Sequence, residues 1–189
     1  MRYWRSINRW KRYRIGELNK TMADFREISI RGRFSYSLKC LADFMDHFSV
    51  KNELTDVILE QYALFTNVPD LGNWHERCNE YSPEFYSRYR QNDALECKYI
   101  PMQTATAINH YFKHIPKDLY DLYQLTFDIG IEHLYSRVSG DETIRSLEQV
   151  FEIMERNQVK LPDFEMIEFT SINDCRGWGK EFVWKNIWI

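Results

Sequence analysis

Apolar residues recur at helical spacing through most of this chain. Ser37 can cap a helix carrying Leu38, Leu41, Ala42, Met45 and Phe48 on one face. Ser49 restarts the chain, and Leu54, Val57, Ile58, Tyr62 and Phe65 form a second stripe. So short a connection predicts two roughly antiparallel helices. Asn67 to Gly72, with Pro69, reads as a loop, and Asn73 as the cap of a short helix running through Trp74 to about Tyr81. Ser82, Pro83 and Glu84 give a helix start with cap, N1 proline and first-turn acid in order. Residues 91–101 read as a loop, and Pro101 to Phe112 as a helix. Pro116 opens what the pattern predicts to be the longest helix, running to about Val138, and Gly140 ends it. Asp141 caps a last helix through Ile144, Leu147, Val150, Phe151 and Met154.

Two stretches break the pattern. Residues 25–37 alternate loosely around Gly32 and suggest a strand or an irregular approach to the first helix. After Leu161-Pro162 the periodicity fades, and the Gly177-Trp178-Gly179 turn followed by an aromatic run suggests an extended tail or small hairpin. No fixed-period repeat is present. The expected fold is mainly α, an irregular multi-helix bundle with a short extended or hairpin C-terminal tail.

Composition supports an ordinary packed core. Aromatics make up 16% of the 189 residues, with only seven glycines and five prolines, which excludes disordered and low-complexity classes. The length suits one domain over residues 21–189, preceded by a basic, aromatic segment over residues 1–20 packed on the body. That segment holds seven basic side chains against Glu17, which leaves 18 basic and 27 acidic residues over 21–189, a net of −9. An acidic body repels nucleic acid and attracts basic partners. The first 14 residues lack the apolar core of an export signal, and no stretch approaches the roughly 20 apolar residues of a membrane span. Cys40, Cys78, Cys97 and Cys175 form no C-x-x-C pair. The expectation is a cytoplasmic protein with four reduced thiols.

Candidate chemistry is sparse. His110 and His114 share a helical face, as zinc ligands do, but lack a third ligand at suitable spacing and read as polar rings on an amphipathic helix. Cys175, between Asp174 and Arg176, could be an activated thiol but reads as structural. Gly177-Trp178-Gly179 has neither phosphate-loop spacing and reads as a tight turn around a buried Trp178. No catalytic residues, cofactor or metal are expected. In the N-terminal segment, Tyr3, Trp4, Trp10 and Tyr13 interleave with Arg and Lys, and Trp4, Ile7 and Trp10 fit a short helix. That mixture suits single-stranded nucleic acid or an anionic membrane, so a nucleic-acid-binding regulator is the alternative function. The negative body opposes both.

The most suggestive feature lies on the helix from Pro116. Asp118, Asp121, Asp128 and Glu132 fall within an arc of roughly 80° at about 100° per residue. Their neighbours Leu119, Leu122, Tyr123, Phe127 and Ile129 are apolar, so the acids read as the helix's window onto solvent and as candidate partner-binding residues. Gly130 could break this helix and split the stripe.

Residues 34–86, from F-S-Y-S-L-K-C-L-A-D-F-M-D-H-F to L-F-T-N-V-P-D-L-G-N-W-H-E-R-C-N-E-Y-S-P-E-F-Y, resemble bacterial immunity proteins of polymorphic and contact-dependent growth-inhibition toxin systems. The likeness is in the order of parts: paired helices ending at Phe65-Thr66, a loop, Trp74 with acids after it, then Pro83. The closing Gly177-Trp178-Gly179 turn adds to it. The resemblance implies a protein that binds the toxin domain of its own system stoichiometrically and blocks its active cleft. Such toxins are often nucleases with basic clefts, which an acidic patch would meet.

Overall fold

The computed structural model describes residues 12–15, 18–88, 96–135 and 141–186. Among these are eight α-helices and one two-stranded hairpin. The strands are β1 (Arg12–Ile15) and β2 (Leu18–Thr21), antiparallel with Arg12 opposite Thr21. The helices are α1 (Met22–Arg26), α2 (Ile30–His47), α3 (Glu53–Ala63), α4 (Leu71–Cys78), α5 (Pro83–Ser87), α6 (Met102–His114), α7 (Lys117–Ile131) and α8 (Asp141–Arg156). The all-α bundle is as the periodicity predicts. Strand structure falls at residues 12–21 instead, and a helix through Trp4, Ile7 and Trp10 lies outside the described residues.

Residues 25–26 end α1 and 30–37 begin α2, joined by a short irregular link at 27–29, which corrects the expected strand and leaves only that link of the irregular approach. Ser29 caps α2, its hydroxyl accepting the Gly32 N–H at 3.2 Å. The alternation is misleading because polar side chains are buried in the bundle here: Arg31, Arg33, Ser35 and Ser37 are all 4% exposed or less. Ser37 is no cap, and its hydroxyl pairs with Thr126 on α7 at 2.7 Å. The later caps move by a turn for equally local reasons. Asn52, not Ser49, starts α3, accepting the N–H groups of Leu54 and Thr55 at 2.9 and 3.2 Å. Asp70, not Asn73, starts α4. Ser82 caps α5 with Pro83 at N1, as read from the sequence. Among the described residues the longest helix is α2, with 18 residues against 15 in α7. The helix from Pro116 also stops short of the expected end near Val138: α7 ends at Ile131, Glu132 is its C-cap, and residues 132–135 are turns.

α2 lies at the centre, against α3, α7 and α8. Two aromatic clusters sit around it. Phe25 meets Tyr36, Phe151 and Phe164 edge-on at centroid distances of 5.1, 5.1 and 4.9 Å. Elsewhere on α2, Phe34 meets Phe65 and Trp74 at 4.3 and 5.7 Å, and Trp74 meets Phe127 at 5.8 Å. Edge-on and offset rings add about 0.5–1.5 kcal/mol per pair beyond area burial.

From Asn157 to Lys185 the chain forms a strap of 3₁₀ turns and irregular segments, and no hairpin forms within that stretch. Its anchors are polar. Tyr36 donates to the Pro162 carbonyl at 2.6 Å, Ile172 N–H to the Glu27 carbonyl at 2.9 Å, and Phe182 N–H to the Thr66 carbonyl at 2.9 Å. Cys175, Arg176, Gly177 and Gly179 all have positive φ, and the turn delivers the Trp178 carbonyl to the Arg31 N–H at 3.1 Å. One orphan donor of the first turn of α2 is thereby satisfied. Gly179 lies against Ser29, where any side chain would collide. No helix among the described residues is long and apolar enough to cross a membrane.

Candidate protein-binding surfaces

Asp118, Asp121, Asp128 and Glu132 lie along the flank of α7 between α8 and α5, and each has a partner within the chain. Asp118 accepts from Arg156 Nε at 3.0 Å, from Arg156 Nη2, and from Asn157 Nδ2 at 2.6 Å. The guanidinium holds this carboxyl below its ordinary pKa. Asp121 takes both its contacts from Lys117 Nζ, at 2.8 and 2.6 Å. Asp128 accepts from Gln124 at 2.8 Å, and burial raises its pKa. Glu132 accepts from the Ser146 hydroxyl at 2.7 Å, and burial raises its pKa to about 7. The sequence reading made these acids a window onto solvent. The structure puts Asp118 and Glu132 at the α7–α8 seam, while Asp121 lines a groove of about 330 Å³ with Gln149 and Glu152.

Glu132 adjoins an unusual buried group. His133 is 2% exposed, and neither ring nitrogen has a hydrogen-bond partner. Burial lowers its pKa, and Glu142, 3.7 Å away, opposes that shift. Asp128, Arg33 and Arg145 complete the charged surroundings. The two shifts act on stability with opposite signs. A carboxyl raised on folding binds its proton more tightly in the native state, so stability falls as pH climbs from about 4.5 through about 7. A lowered histidine loses stability as pH drops through its ordinary range near 6.5. Glu132→Gln keeps an acceptor for Ser146 and removes the first effect. We expect it to raise stability at pH 8 by about 1–2 kcal/mol, allowing for screening of a part-exposed carboxyl, with little change at pH 5. Urea unfolding across that range checks this; an unchanged pH profile in the variant would contradict it.

The other sequence candidates are less engaged with one another. His110 and His114 stack at 4.2 Å, with His114 Nδ1 2.6 Å from the His110 carbonyl. No group of three His, Cys, Asp or Glu side chains suited to a metal ion occurs among the described residues. Cys175 is exposed on the strap's turn, and Trp178 is half-buried against Phe65 at 6.3 Å.

The sequence reading missed the outer face of α3. It placed Val57 on the inward stripe with Ile58 and Tyr62, yet Val57 is 40% exposed while Ile58 and Tyr62 are fully buried. Glu53, Asp56, Val57, Glu60 and Leu64 are all exposed. At helical spacing they share an arc of about 100°. Three acids thus alternate with two aliphatics on one face. At its C-terminal end Leu64 also lines a groove of about 250 Å³, walled by Val68, Pro69 and Trp74 with Asp70, Asn73 and Arg77 at its polar side. The signal was present in the spacing of acids three and four apart. It was overridden by the stronger inward pattern.

The chain matches no known family model, no curated protein and no solved structure.

Proposed function

We propose that this chain is an immunity protein: it binds a cognate bacterial toxin domain, a nuclease with a basic cleft, and blocks that cleft by a stoichiometric interface. The observation that carries the reading is the charge of the body, 18 basic against 27 acidic residues over 21–189. On a rigid aromatic core, that excess speeds encounter with a basic partner and keeps nucleic acid away. The resemblance of residues 34–86 supports the same reading. Its Phe34, Phe65 and Trp74 are core residues, so partner choice falls to the exposed faces.

Co-expression with the toxic domain encoded immediately upstream tests the proposal. The expected result is restored growth and a 1:1 complex on size-exclusion chromatography with light scattering. Growth arrest despite soluble, folded protein would overturn it. Association should also slow as salt rises, because exposed charges are screened over about 10 Å at 0.1 M. Replacing Asp118, Asp121, Asp128 and Glu132 by their amides tests that flank as the partner-facing patch. If it is that patch, the on-rate falls several-fold at low salt, read by stopped-flow fluorescence; an unchanged on-rate discards the flank and leaves the function standing.

A further inference from the structure

We propose that the partner docks on the outer face of α3 and the adjoining groove, presenting a basic segment with one apolar anchor side chain. This rests on the protein-binding function above and names its surface and the chemistry it accepts.

Four observations carry it. The inward side chains Ile58, Leu59, Tyr62 and Ala63 are 5% exposed or less, so α3 is firmly seated and its outer face is a fixed platform. On that face Val57 and Leu64 are 40% and 38% exposed between Glu53, Asp56 and Glu60. Single exposed aliphatics are ordinary on any surface, but Leu64 is continuous with an apolar groove, which scattered residues are not. The groove's walls are held open by fixed groups. Trp74 donates from Nε1 to the Gln61 carbonyl at 3.1 Å, Arg31 donates from Nη2 to the Val68 carbonyl at 2.8 Å, and Asp70 caps α4. At about 250 Å³ it has room for one aliphatic or aromatic side chain.

Charge fixes the occupant's class. Glu53 and Asp56 form no ion pair within the described residues, so two carboxylates stand ready for incoming cations. The third shows what such a cation does. Lys185, from the strap, reaches Glu60 at 3.5 Å, with Trp184 half-buried beside it and Val183 47% exposed. The chain's own lysine, with apolar neighbours, lies against the acid that a partner's basic segment would meet. The groove's own charges are Asp70 and Arg77, so the segment's cations meet Glu53, Asp56 and Glu60 on the helix face while its apolar side chain enters the groove. In such an arrangement a few residues dominate binding.

Two probes test this independently. The first is the peptide N-acetyl-Leu-Arg-Lys-amide, titrated into ¹⁵N-labelled full-length protein. Saturable amide shifts confined to residues 53–77 and the Trp74 indole are expected; shifts centred elsewhere, or none at millimolar peptide, overturn the surface. The second is the upstream toxin domain with three full-length variants. Glu53→Lys/Asp56→Lys/Glu60→Lys should slow association more than tenfold at low salt, and Leu64→Asp should speed dissociation more than tenfold. Lys185→Ala should tighten binding two- to threefold by freeing Glu60. All these positions are exposed, and circular-dichroism melts verify folding. Toxin binding that these variants leave unchanged overturns the surface and spares the function. Wild-type protein that binds no toxin overturns the function, and the peptide titration then decides the surface by itself.

Discussion

Arg33→Lys will unfold about 3 kcal/mol more easily than the parent chain, although charge is kept and the side chain stays long. Arg33 is 1% exposed on α2 and spreads its guanidinium over two other helices. Nε donates to the Phe25 carbonyl at 2.9 Å, Nη2 to the Arg26 carbonyl at 2.9 Å, and Nη1 to the Thr143 hydroxyl at 2.7 Å. The end of α1 and the start of α8 are thus tied to the central helix by one planar fork. A lysine has a single nitrogen and cannot reach three acceptors that diverge in this way. Each buried acceptor left unpaired costs about 1–3 kcal/mol, and the ammonium would still be desolvated. Burial of the guanidinium has its own cost, visible as a pKa lowered to about 10, so it remains charged at neutral pH. Arg33→Met relieves that cost while losing the same bonds, and we expect it to lose less stability than the lysine variant. In urea the lysine variant's midpoint should fall by about 1 M or more with an unchanged slope. A lysine variant as stable as the parent would show that the fork holds nothing together.

The same arginine explains where sequence and structure part. The helices were legible wherever apolar spacing met water on the other face, as in α8, whose Ile144, Leu147, Val150, Phe151 and Met154 are all buried. The first half of α2 is buried almost all round, and its polar residues are inside because Arg31, Arg33 and Ser37 find partners there. An alternation of polar and apolar residues then carries no information about period, since both kinds point inward. The strap was illegible for a related reason. Its order comes from carbonyls and N–H groups meeting α2 and the Leu64–Thr66 turn, contacts that link positions more than 100 residues apart.

The candidate surfaces were legible in part. Spacing alone puts Asp118, Asp121, Asp128 and Glu132 on one flank of α7, but it cannot say that α8 brings Arg156 and Ser146 against that flank. A stripe of acids beside an unknown neighbour reads the same whether it faces solvent or a seam. The α3 face posed the opposite problem. Val57 is apolar, so pattern reading turned it inward, although Ile58 and Tyr62 already fill that side and leave Val57 beside the acids.

Gly130 decides between local propensity and packing, and packing should win. In isolation a leucine here would favour the helix by about 0.8–1 kcal/mol, and the sequence marks the glycine as a potential break. Gly130 is itself helical, but α7 ends one residue later at Ile131, with Glu132 as its C-cap. A Cβ at this position would sit 2.8 Å from the tip of the Trp74 ring and 3.1 and 3.2 Å from two atoms of Phe34. Neither ring is free to retreat. Trp74 is hydrogen-bonded to the Gln61 carbonyl, and Phe34 lies 4.3 Å from Phe65. The glycine is therefore what allows α7 to close on the aromatic cluster shared by α2, α4 and the Leu64–Thr66 turn. Overpacking of this kind costs about 1–3 kcal/mol and sometimes more, and leucine places three further carbons in the same space. Gly130→Leu should lose about 2–3 kcal/mol net, read as a lower melting temperature, whereas Gly130→Ala should lose about 1 kcal/mol. Trp74→Ala supplies the decisive control, because it opens the space that the leucine needs. In that background Gly130→Leu should cost much less or become stabilising, so the two substitutions will not add. Strict additivity, or a Gly130→Leu chain more stable than its parent, would mean that the helix and not the ring cluster sets the residue at this position.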